Sequence, residues 1–64
     1  MITKADLDLL EKDGWTTLED GKSFVKDDYT IFYDVDYERP WQLYEGEHPI
    51  AEKYTVSGVL RRTQ

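Results

Sequence analysis

Residues 29–36 read Tyr29-Thr30-Ile31-Phe32-Tyr33-Asp34-Val35-Asp36, and their alternation decides the fold class. Tyr29, Ile31, Tyr33 and Val35 fall on one side, and Thr30, Phe32, Asp34 and Asp36 on the other. A two-residue period in β-branched and aromatic side chains predicts a strand with one buried and one solvated face. The acidic side is expected to point outward.

β material continues on both sides of this segment. Upstream, Thr16–Glu19 and Lys22–Lys26 flank Asp20-Gly21, a dipeptide that favours a type I′ hairpin turn. Downstream, Arg39-Pro40 marks a loop or the entrance to an edge strand. Trp41–Tyr44 reads as another strand turned by Glu45-Gly46, and Ile50–Tyr54 as a short last one whose pairing Pro49 limits.

Helices bracket the strands. Thr3 is a good N-cap with Asp6 three residues on, the spacing of a capping box, and Ile2 and Leu7 can staple the same end. Asp6 and Asp8 suit the positive end of the helix dipole and Lys12 the negative end. Gly14 reads as the C′ residue, which lets Trp15 fold back on Leu10 in a Schellman end. These signals predict a helix over residues 4–13. At the far end Thr55 can cap, Tyr54 and Val59 can staple, and Arg61 and Arg62 suit the helix C-terminus. Residues 55–62 are expected as a short helix, with a strand as the alternative. The fold class is therefore α+β: a three- to four-stranded antiparallel sheet with both helices on one face.

All of this belongs to one domain of 64 residues. A chain this short buries only about 60% of its unfolded surface. It has no cysteine to form a disulfide and one histidine, so the core must come from side-chain bulk. Nine aromatic residues supply that bulk, each able to bury roughly 150–250 Å². No run approaches the ~20 apolar residues of a membrane span, and nothing in the first twenty residues resembles a targeting signal. A cytoplasmic location is expected, the host cytoplasm if the chain is phage-encoded.

Charge is distributed unevenly. The net charge is −6, and residues 27–47 alone hold Asp27, Asp28, Asp34, Asp36, Glu38, Glu45 and Glu47 against Arg39. On a strand, alternate residues lie about 6.6–6.8 Å apart on one face. Asp34, Asp36 and Glu38 would then form a row of carboxylates, with the other four acids near the strand ends.

The residues that catalysis needs are scarce. His48, between Glu47 and Pro49, is the one side chain suited to general base work near neutral pH, and it reads as a solvated loop residue. Asp34-x-Asp36-x-Glu38 matches the opening of a calcium loop, but Arg39 stands at the sixth position where glycine is needed. No enzymatic activity and no cofactor are expected. Direct nucleic-acid binding, which depends on lysine and arginine, is not expected either, nor is a membrane.

The α-β-β-β-α order resembles that of double-stranded RNA-binding domains. Those domains carry basic residues at the start of the second helix, where this chain has Thr55-Val56-Ser57-Gly58. The likeness bears on fold and not on function. In size, acidity and lack of enzymatic motifs, the chain resembles small phage-encoded inhibitors of the anti-CRISPR type, several of which are acidic DNA mimics. That resemblance implies a non-enzymatic inhibitor whose acidic face engages a basic, nucleic-acid-binding partner. The residues expected to carry binding are Asp27, Asp28, Asp34, Asp36, Glu38, Trp41, Tyr44, Glu45 and Glu47. A protein–protein interaction module or homodimer, using Trp41 or Tyr44 as anchors with charge serving solubility, is the alternative.

Overall fold

Thr3 opens the first helix as its side chain demands. In the computed structural model, which describes residues 1–64, its hydroxyl accepts the Asp6 N–H at 3.1 Å, and the Asp6 carboxylate accepts the Thr3 N–H at 3.0 Å. This capping box starts α1 (Lys4–Lys12). Gly14, at φ 92°, ends it in the left-handed region. The N–H of Trp15 then donates to the Leu10 carbonyl at 2.9 Å, and that of Gly14 to the Glu11 carbonyl at 3.0 Å. Both hydrogen bonds of a Schellman end are thus present, and Trp15 turns into the core beside Leu10.

Five strands follow: β1 (Thr16–Thr17), β2 (Ser23–Lys26), β3 (Tyr29–Tyr33), β4 (Trp41–Glu45) and β5 (His48–Lys53). They form one antiparallel sheet in chain order, and α2 (Val56–Arg62) closes the chain behind its Thr55 N-cap. The architecture is α+β, with five strands where three to four were expected. β1 falls within the stretch Thr16–Glu19 read as β material, and is held to β2 through the pairs Thr16–Val25 and Thr17–Phe24.

Register puts Phe24, Ile31, Leu43 and Ala51 in one row across the sheet, with Tyr33, Trp41 and Lys53 in the next row on the same side. The helices cover this side. Leu10, Trp15, Val56, Val59 and Leu60 complete a core with Phe24, Ile31, Trp41 and Leu43. Each of these buried side chains contributes on the order of 1.5–3 kcal/mol. Trp41 packs on Phe24 and, edge-on, on Tyr33, with ring centroids 6.2 and 4.7 Å apart.

Three details depart from the pattern of the chain. β3 ends at Tyr33, so residues 34–36 are not strand. The Asp34 carboxylate accepts the Asp36 N–H at 3.0 Å, and the Asp34 carbonyl accepts the Tyr37 N–H at 3.2 Å. A short acceptor that bonds its own downstream backbone favours a turn over a strand. The Asp20-Gly21 turn is not type I′, which needs both residues at positive φ, because only Gly21 is there. Pro49 pairs with Tyr44 while Ala51 pairs with Leu43, which leaves Ile50 as the extra residue of a bulge.

The closure of α1 yields a direct test. Gly14→Ala forces a Cβ into a left-handed position and should lower the unfolding free energy by about 1 kcal/mol, read as a shifted urea midpoint at constant slope. An unchanged midpoint would mean that the Schellman end contributes nothing.

Candidate binding surface

An antiparallel meander sends successive turns to opposite ends of the sheet. The β2–β3 and β4–β5 turns therefore share one end, and the Asp28 carbonyl accepts the Gly46 N–H there at 2.9 Å. Asp27, Asp28, Glu45 and Glu47 lie at this end, all exposed. Both turns have two residues, and in both the first is left-handed, Asp27 at φ 54° and Gly46 at φ 61°, as type II′ hairpins require. The β1–β2 turn and the β3–β4 loop share the other end. There Glu19 and Asp20 join Asp34, Asp36 and Glu38.

The seven acids of residues 27–47 thus lie at the two ends of the sheet. The three expected as a row on one strand face, Asp34, Asp36 and Glu38, sit together on a loop because β3 ends at Tyr33. Asp34, Asp36 and Glu38 sit on the loop 34–40, which is closed at its base by the Asp34 N–H donating to the Pro40 carbonyl at 2.9 Å. No three acidic or imidazole side chains converge there or elsewhere in a way that could hold a metal ion. Glu38 instead accepts from the Tyr54 hydroxyl at 3.3 Å, while the Arg39 guanidinium lies 5.3 Å over the Tyr54 ring. These contacts tie the loop to the start of α2. His48 is exposed at the first position of β5, beside the turn expected for it.

Cations lie elsewhere. Lys22 lies beside β2, and its carbonyl accepts the Tyr33 N–H; by alternation Lys22, Lys26 and Lys53 lie on the helix side of the sheet. Lys4 and Lys12 belong to α1, Arg61 and Arg62 to α2. Lys22, in the β1–β2 turn, and Arg39, on the 34–40 loop, are the cations on loops at the acid-bearing ends. The single ion pair in the molecule joins Lys26 to Asp13 at 3.5 Å. None of the seven acids between residues 27 and 47 forms an ion pair.

The two aromatic anchors expected from sequence separate. Trp41 is 3% exposed and forms part of the core, so it has no surface to offer a partner. Its place follows from its pairing with Tyr33 on the covered side of the sheet. Tyr44 lies half-buried on the uncovered side, diagonal to Phe32, and the two rings meet edge to face at 5.3 Å and 86°. Phe32, 40% exposed, was missing from the expected binding residues. Its signal was present, because the alternation of residues 29–36 sets it on the outward side with Thr30.

No family model, curated protein or solved structure matches this chain.

Asp20, at one of these ends, serves the fold itself. The Asp20 carboxylate accepts the Ser23 hydroxyl at 2.7 Å and the N–H groups of Lys22 and Ser23 at 2.9 Å each. The Ser23 hydroxyl foremost, and then the Lys22 N–H, hold it below the usual carboxylate range. A carboxylate depressed in the folded state stabilises that state above its unfolded pKa, about 3.9, and ceases to do so as pH falls through the lower folded value. The stability gap between wild type and Asp20→Asn should therefore be widest above about pH 4 and narrow below it. Urea midpoints across an acid series measure this. A gap that holds constant with pH would show that the charge on Asp20 is immaterial.

Proposed function

We propose that this chain is a non-enzymatic binding protein that occupies a basic, nucleic-acid-binding surface of another protein and blocks it, as small acidic inhibitors of the anti-CRISPR and DNA-mimic type do. The observation that carries this reading is the absence of any ion pair on the seven acids of residues 27–47. A surface built only for solubility intersperses both signs. Here lysine and arginine lie mainly on the helices and the helix side of the sheet, while carboxylates collect at the strand ends.

The spacing of the two ends adds support. Strands of five residues at about 3.4 Å per residue hold them roughly 17 Å apart. The phosphate walls of a DNA major groove flank an opening about 12 Å wide. Two carboxylate groups separated by a comparable distance, across a sheet face without cations, can face the two basic ridges that would otherwise hold the two backbones. Unscreened charge of one sign would also speed the encounter with such a partner.

Capture of interacting proteins at low and high salt tests the reading, with two charge-reversed variants as controls. Asp28→Lys/Glu47→Lys alters one end and Glu19→Lys/Asp36→Lys the other, at positions whose side chains make no hydrogen bond in the fold. Wild type should retain a basic nucleic-acid-handling protein that duplex DNA displaces. Each variant should lose about tenfold in affinity or more, and high salt should release the partner. Binding that ignores salt, charge reversal and competing DNA would reject the proposal.

A further inference from the structure

The uncovered side of the sheet lies between the two acid-bearing ends and differs from both in composition. Its side chains include Val25, Thr30, Phe32, Gln42 and Tyr44 across the three central strands, with Glu52 on β5 as its one carboxylate and no cation. We propose that this face, centred on the Phe32–Tyr44 ring pair, is the desolvated middle of the binding surface, and that its occupant is an apolar patch of a basic protein bordered by lysine or arginine. The proposal rests on the preceding reading that the partner is basic, and adds to it where the contact is made and what lies at its centre.

Interfaces deplete charge at their core, enrich aromatic side chains there, and place polar groups at the rim. This face has that arrangement. The two rings sit on adjacent strands and lock edge to face, so they present large area at little cost in side-chain freedom. Other exposed apolar side chains lack such a setting. Leu7 and Leu9 lie on α1 among Asp6, Asp8, Glu11, Lys4 and Lys12, and Val35 and Tyr37 lie on the 34–40 loop among Asp34, Asp36 and Glu38.

Charge decides between a basic protein and a second copy of this chain. Two copies packed face to face would set acid-bearing ends against acid-bearing ends, with no cation on either face to separate them. Like charges juxtaposed across an interface are costly. A partner with cations around an apolar patch complements the centre and the rim together.

The test uses the full chain, amide-resolved NMR and two probe peptides of equal lysine count. One is a short oligolysine, and in the other leucines alternate with the lysines. Oligolysine should shift amides only at the acid-bearing ends. The leucine-containing peptide should also shift Val25, Thr30, Phe32, Gln42 and Tyr44, and bind roughly tenfold tighter. Phe32→Thr should remove that gain and leave oligolysine binding unchanged; Tyr44→Thr is a second variant should the first not fold. Equal binding of both peptides with a silent face would overturn the proposal while sparing the acidic reading. Failure of both peptides to bind would remove the acidic reading and the proposal with it. Face amides that shift with protein concentration alone, and stop doing so in Phe32→Thr, would identify a second copy as the occupant and overturn the commitment to a basic partner.

Discussion

The chain is large enough to cover only one side of its sheet. Nine side chains form the buried core, and the two helices spend their apolar residues on one side of the sheet, on Phe24, Ile31, Trp41 and Leu43 with Tyr29, Tyr33, Ile50 and Ala51 packed around them. Nothing is left to cover Val25, Thr30, Phe32 and Tyr44 on the other side. An antiparallel sheet tolerates this, because its strands can alternate between a packed and a solvated face. The molecule therefore has a helix side that supplies stability and a sheet side that is free for contact. Close approach of α2 reinforces the division: a Cβ on Gly58 would stand 3.1 Å from the Lys53 Cβ, tighter than ordinary packing.

The same division sorts the charge. Side chains adjoining the covered face must either pack or reach past the helices to water. Lysine can do both, running an apolar stem along the core with its ammonium outside, and Lys26 and Lys53 are half-buried there. Aspartate has no such stem. Within the sheet it is found in the turns and not in the strands, where its short acceptor can bond the local backbone, as Asp20 and Asp34 do. In a meander every turn lies at one of two ends. Segregated charge thus follows from side-chain length and topology once the chain commits to one covered face.

This also explains what the sequence made legible. The punctuation of α1 could be read residue by residue, since the capping box and the Schellman end are local and use backbone groups within a few positions. The helical state of residues 56–62 followed from the same kinds of signal. The alternation over residues 29–33 told inside from outside correctly and already set Phe32 outward. It failed at Asp34, where a local hydrogen bond outcompeted the continuing period. Trp41 could have been assigned by the same logic, because Trp41 and Leu43 alternate with Gln42 and Tyr44; aromatic character alone suggested an anchor where pairing with Tyr33 dictates burial. The division of the acids between two ends was not legible from any window of sequence. It depends on strand order, which only the assembled sheet provides.

A partner has two ways to meet an open sheet, through its edges or through its face, and here the edges are poorly suited. Adding a strand requires a row of free backbone groups. β1 provides only two residues for such a row. β5 is longer but contains Pro49, which lacks an N–H, and a bulge beside it. Short, interrupted edges are how sheets resist unintended pairing. Arg62 further occupies the Ile50 carbonyl, donating to it at 3.4 Å. On the proposed reading, recognition therefore relies on side chains, those of the ring pair on the open face and the carboxylates at its two ends.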